Sequence, residues 1–183
     1  MRKFVLLIIL VSISNEHFSQ TTSVEKSIFG IQTGFLGVWG HHETKLSRQF
    51  ALRTEMGFDC SIYAGGSGYF LNPVITLEPR WYYNMDKRQK KSRRTDDNIG
   101  NYITIRTSYH PDLFIISNYR NVSVIPDIML VPTWGIRRSL GKHFNYEAGA
   151  GVGYIYYFDK SVGFQENSGE VAINLHLRLG YVF

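Results

Sequence analysis

From Glu170 to Phe183 the chain alternates without an error. Val171, Ile173, Leu175, Leu177, Leu179, Tyr181 and Phe183 share one face, and Glu170, Ala172, Asn174, His176, Arg178, Gly180 and Val182 share the other. A period of two residues is the pattern of a β-strand with one apolar and one mostly polar surface. The same period recurs upstream. In 50–58, Phe50, Leu52, Thr54, Met56 and Phe58 oppose Ala51, Arg53, Glu55, Gly57 and Asp59. In 69–83, Ile75, Leu77, Trp81 and Tyr83 oppose Val74, Thr76, Glu78, Arg80 and Tyr82, while Pro73 and Pro79 each remove a ladder donor and predict bulges or interrupted pairing. Residues 101–109 set Ile103, Ile105 and Tyr109 against Thr104, Arg106 and Ser108, and 127–137 set Ile128, Leu130 and Trp134 against Asp127, Thr133 and Arg137. In 144–156, Phe144, Tyr146, Val152, Tyr154 and Tyr156 face away from Asn145, Glu147, Gly149, Gly151 and Gly153. Residues 27–39 read as one further strand, with Phe29, Ile31, Thr33, Phe35 and Trp39 outward and Gly30, Gln32 and Gly34 inward, followed by a link over 40–49.

Seven strands with apolar outer faces and charged inner faces suit lipid outside and a polar lumen inside, an antiparallel up-and-down transmembrane β-barrel. Such barrels have even strand numbers, so an eighth strand is expected, either at 113–119 or at 22–27. We favour the first, because TTSVEKS is a poor strand and long loops belong outside. It places the basic segment 86–97 extracellularly, opposite the chain termini; the second makes that segment periplasmic. The glycines of 64–68 mark a turn, as does His110-Pro111-Asp112.

Composition adds little and contradicts nothing. Twelve Tyr, twelve Phe, three Trp and seventeen Gly suit strands with interfacial girdles and a crowded lumen. The longest apolar run, from Phe4 to Val11, falls short of the ~20 residues a spanning helix needs. Residues 1–19 carry Arg2 and Lys3 ahead of that run and read as a secretory signal peptide, which leaves 20–183 as one outer-membrane barrel domain. The formal charge is +5, and loss of Arg2, Lys3 and Glu16 would make it +4. The lone Cys60 allows no internal disulfide.

The stretch LHLRLGYVF resembles the closing strand by which outer-membrane barrels are recognised for assembly. Together with LEPRWYYNMDKR and IPDIMLVPTWGIRRSLGKHFNYEAGAGVGY, it makes the chain similar to a group of small uncharacterised outer-membrane β-barrel proteins of Gram-negative bacteria. That resemblance implies eight strands, both termini in the periplasm, a location in the bacterial outer membrane and engagement of the barrel-assembly machinery through the strand ending at Phe183. It implies no activity.

Several groups carry candidate chemistry. Alternation sends Arg53, Glu55, Asp59, Glu78, Arg80, Arg106, Asp127, Arg137, Glu147 and Arg178 into the lumen, together with Glu170. An eight-stranded barrel is just wide enough for its own side chains, so these charges are expected to pair into a plug that sets the register. This favours a non-enzymatic monomer acting in envelope integrity or surface interaction, without cofactor or metal. The alternatives are a narrow solute channel and a lipid A-modifying hydrolase built from Ser108, His110 and Asp112, or from His176, though no nucleophile motif marks them. His41-His42-Glu43 holds ligand types for zinc or nickel, but adjacent residues of an extended chain point oppositely. Lys87, Arg88, Lys90, Lys91, Arg93 and Arg94, against Asp86, Asp96 and Asp97, give a local balance of +3 and suit lipid or lipopolysaccharide phosphates. Without interleaved aromatics they do not suit nucleic acid. Trp39, Trp81 and Trp134 are expected as interfacial anchors.

Overall fold

The computed structural model describes residues 22–62, 69–118, 125–163 and 166–183. The expected signal peptide and the glycine turn at 64–68 lie outside the described residues. Nine strands occur among the described residues: β1 (Ser27–Gly34), β2 (Gly37–Lys45), β3 (Phe50–Ile62), β4 (Tyr69–Trp81), β5 (Asn101–His110), β6 (Ile116–Ser117), β7 (Asp127–Leu140), β8 (Phe144–Tyr157) and β9 (Ser168–Val182). A short helix, α1 (Met85–Gln89), follows β4. All strands except β6 form a closed antiparallel ring in chain order, sealed where β9 pairs with β1 from Gly30↔Val182 to Gly34↔Arg178. β6 stands outside the ring. It takes Phe70 and Leu71 of β4 beyond Ile75↔Tyr109, where the β4–β5 pairing stops. The fold is all-β, an eight-stranded barrel.

The eighth strand is neither 113–119 nor 22–27. It comes from splitting 27–39, because Gly34 pairs with Gly37 across a two-residue turn made of Phe35 and Leu36, and β2 runs on through the stretch expected to be a link. Gly37 has φ of 150° and a Cβ there would strike the Phe58 carbonyl, so only glycine fits. Phe35 disguised the turn. It is apolar and odd-numbered, so it carries the alternation of β1 across a place where the chain reverses.

That reversal changes parity. Register partners in the hairpin sum to an odd number, Gln32↔Trp39 and Ile28↔Glu43 among them, so inward residues are even in β1 and odd in β2. Trp39 therefore lies in the lumen, 3% exposed, and is not an interfacial anchor. Four ring strands now precede the basic segment in place of three. Residues 82–100 consequently share one end of the barrel with 46–49, 141–143 and Phe183, and the expected placement opposite the termini is overturned. The other end carries Phe35 and Leu36, residues 111–115 and residues 158–163.

The prolines interrupt pairing without shifting register. Between Leu77↔Thr107 and Arg80↔Thr104 the β4–β5 ladder lapses at Pro79, while the β3–β4 ladder runs unbroken through both Pro73 and Pro79. The outer wall is largely apolar, with Val171, Ile173, Leu175 and Leu177 of β9 each exposed and Leu175 68% so, while β2 presents Gly40, His42 and Thr44 beside Val38. The interior is polar for most of its height. An apolar cluster of Val24, Ala51, Tyr82, Met85 and Tyr102 gathers toward the Phe183 end, where residues 82–100 fold beneath the ring. Backbone bonds from Val24 to Arg48 and from Tyr82 to Gln49, and one from the Glu25 amide to Asn98 Oδ1, tie that closure together.

Candidate functional site

Alternation in seven different ring strands delivers nine charged side chains to one level of the lumen. Arg53, Arg80, Arg106, Arg137 and Arg178 meet Glu43, Glu55, Glu78 and Glu147, all of them buried. Glu147 on β8 accepts from Arg137 Nε at 2.5 Å, from Arg80 Nη1 at 3.0 Å and from Arg53 Nη1 at 3.3 Å. Glu43 on β2 accepts from Arg137 Nη2 at 2.8 Å, from the Tyr82 hydroxyl at 2.7 Å and from Asn98 Nδ2 at 2.6 Å. Glu55 on β3 takes Arg53 Nε at 2.5 Å, Arg178 Nη1 at 2.9 Å and Arg106 Nη2 at 3.2 Å. Glu78 on β4 pairs with Arg80 at 2.7 Å and with Arg106. Arg53 Nη1 lies 3.7 Å from Glu43 Oε2, so every glutamate of the network has at least two arginine partners.

Neutral groups complete the shell. Gln32 Oε1 accepts from Arg53 Nη2 at 2.7 Å. The Arg80 guanidinium lies 4.1 Å from the centre of the Tyr102 ring, and that of Arg178 lies 3.8 Å from Trp39, so both spare cationic faces rest on aromatic rings. Burial pushes the Tyr82 hydroxyl well above the ordinary tyrosine range, which keeps its proton available to Glu43. Gly135 makes room for Tyr102: a Cβ there would collide with its ring. Removing charges from water costs several kcal/mol per ion, and such sites persist only with this density of pairing.

A second, smaller cluster sits nearer the Phe35 end. His110 at the end of β5 contacts Asp127 Oδ1 through Nδ1 at 2.8 Å and Asp59 Oδ2 through Nε2 at 3.1 Å. The Trp39 indole donates to the other oxygen of Asp59 at 2.7 Å. The expected lumen set thus divides in two: Asp59 and Asp127 belong to this histidine bridge, and the remaining eight residues to the larger network. Glu170 keeps the inward parity of β9 but lies exposed near the strand's open end, away from both clusters, where it accepts from the Tyr157 hydroxyl at 2.9 Å.

The other candidates are not assembled. His41 and Glu43 point inward while His42 stacks on Phe29 outside, so the three do not converge on one ion. The Ser108 hydroxyl is bonded to Thr76 at 2.9 Å, both ring nitrogens of His110 contact carboxylates, and Asp112 is exposed. No hydrogen bond links those three. His176 contacts Tyr102 and Asn174 at 3.4 Å each. In the basic segment, Arg94 pairs with Asp97 at 2.8 Å and Asp86 with Arg48 at 2.9 Å. Lys87, Lys90, Lys91 and Arg93 make no ion pair among the described residues.

Sequence reasoning missed Glu43, Trp39 and the supporting Tyr82, Tyr102 and Asn98. The Gly34–Gly37 spacing was the available signal for the first two, since glycines three apart can flank a two-residue turn. Alternation put Tyr82 and Tyr102 on inner faces without showing their partners, and Asn98 needed the packing of residues 82–100 beneath the ring.

No known family, curated protein or solved structure matches this chain. The likeness to outer-membrane barrels therefore rests on architecture, an eight-stranded antiparallel ring with exposed apolar side chains, and on no identified relative.

Proposed function

We propose that this chain is an integral outer-membrane barrel of a Gram-negative envelope, closed to solutes, which serves envelope integrity or surface interaction without catalysing a reaction. The carrying observation is the pairing of an apolar outer wall with a lumen filled by interlocked arginines and glutamates. The ring strands are 8 to 15 residues long and most meet the ~9–11 that cross a bilayer on a tilt. Rings flank the apolar band at both ends: Trp81, Trp134, Phe144 and Tyr181 toward Phe183, and Tyr109, Tyr154 and Tyr156 at the other. In this reading the Phe183 end faces the periplasm, the side from which the assembly machinery engages β9.

The lumen network supports closure rather than conduction. An ion crossing it would have to displace carboxylates that already have two or more guanidinium partners. The test joins location to conductance. The protein should sediment with the outer membrane, and its reconstitution in planar bilayers should give no steady current. Stable channels of uniform size would overturn the closed lumen, and recovery of the folded protein in a soluble fraction would overturn the membrane assignment.

A further inference from the structure

The basic segment is folded, and it builds one wall of a cavity of about 380 Å³ at the Phe183 end. Lys87, Arg88, Lys91 and Arg93 line it from the segment, and Arg138 lines it from β7. The acids of the segment point elsewhere. Asp86 is held by Arg48 and Gln49, and Asp96 and Asp97 by Arg94. None of the five lining cations has a carboxylate within ion-pair distance among the described residues. Their proximity is itself a cost: after burial, the facing charges of Arg138 and Arg93 hold the Arg88 guanidinium below the ordinary arginine range.

Two of the five are fixed by the backbone. Arg88 donates through Nε and Nη2 to the Arg94 carbonyl, and Arg138 donates to the Gly100 carbonyl and to Asn101 Oδ1. Those bonds satisfy part of each guanidinium and leave its charge uncompensated. The remaining wall includes Tyr83, whose hydroxyl takes the Trp134 indole N–H at 2.8 Å and whose ring meets Trp81 edge-on. The pocket therefore adjoins the aromatic girdle, the depth at which lipid head groups lie.

We propose that this pocket binds a phosphate group, presented by an anionic phospholipid of the leaflet at the Phe183 end. Guanidinium groups match phosphate oxygens in pairs, and lysines add charge without demanding geometry. The girdle beside the pocket would let acyl chains run down the apolar wall while the head group stays among the cations. The lipid source rests on the membrane reading above; the phosphate chemistry does not.

The purified protein in dodecyl maltoside micelles, titrated with phosphatidylglycerol, phosphatidylcholine or soluble glycerol phosphate and read by native mass spectrometry, tests this. Phosphatidylglycerol should bind in preference to phosphatidylcholine. Lys87→Gln/Lys91→Gln/Arg93→Gln, three exposed positions, should weaken that binding on the order of a hundredfold. Lys26→Gln/Lys45→Gln/Lys142→Gln removes the same charge outside the pocket, also from exposed positions, and should change it far less. Equal loss in both triple variants, or retention in the first, overturns the site. Displacement of the lipid by equimolar glycerol phosphate supports the phosphate site and overturns its lipid source. A failure of the membrane reading would appear in fractionation, and the glycerol phosphate titration would still report on the pocket.

Discussion

Glu43 and Arg137 are 94 positions apart in the chain, and their side chains meet across the barrel lumen at 2.8 Å. The contact joins β2 to β7, strands that are not neighbours in the ring, so it braces the barrel through its interior. Glu43→Ala leaves Arg137 with Glu147 as its remaining carboxylate and deprives the Tyr82 hydroxyl and Asn98 amide of their acceptor. Urea unfolding in vesicles, followed by tryptophan fluorescence, should show a loss of ~3–5 kcal/mol. The double replacement Glu43→Leu/Arg137→Met should lose less than Glu43→Ala alone, because it removes both buried charges together. A larger loss in the double variant would show that Arg137 matters through Glu147 and not through Glu43.

The three tryptophans should divide by environment. Trp39 lies in the lumen with its indole N–H on Asp59, whereas Trp81 and Trp134 are exposed on the outer wall at 40% and 48%. In variants retaining one tryptophan each, brominated acyl chains should quench Trp81 and Trp134 and spare Trp39. Quenching of Trp39 would contradict the parity change at the Phe35–Leu36 turn. Trp39→Phe keeps a ring near Arg178 and should cost ~1.5–3 kcal/mol through loss of the charge-assisted hydrogen bond.

The outer wall predicts a position-dependent penalty. Leu175 lies near the middle of β9 and faces outward. Leu175→Arg should destabilise the barrel by ~2–4 kcal/mol in a bilayer, whereas Val171→Arg, nearer the strand end, should cost only ~0–1 kcal/mol. Equal and negligible effects at the two positions, measured by reversible unfolding in vesicles, would count against a lipid-facing wall.

Orientation is open to chemical labelling. With Cys60→Ser as background, Lys90→Cys reports on the basic segment and Leu113→Cys on the opposite end, where Leu113 is 70% exposed. A maleimide carried on a polymer too large for porins should label Leu113→Cys in intact cells. It should reach Lys90→Cys only after the outer membrane is permeabilised. The reverse pattern would turn the barrel over and place the phosphate pocket at the cell surface.

Much of the barrel is written in local pattern. The period of two in β3, β5, β7, β8 and β9 assigned inner and outer faces correctly, because in a strand the face of each side chain follows from its number alone. Eight of the nine residues of the large network followed from that rule. Its failure at β2 has the same origin: counting by parity holds only while the chain keeps its direction, and the turn at Phe35 and Leu36 carries apolar residues in place of the usual polar markers. One unseen reversal placed Trp39, His41 and Glu43 in the lumen and brought residues 82–100 to the Phe183 end. Sequence alone thus determined that the chain builds a strand-walled barrel with apolar residues outside and charges within. Only the tertiary structure decided which charges meet, since Glu43 with Arg137 and Arg53 with Glu147 are joined by ring closure across the lumen, a distance that no local period encodes. It likewise decided that Arg138 joins the basic segment in one pocket, since strand pairing brings β7 beside β5, which follows directly on residues 82–100.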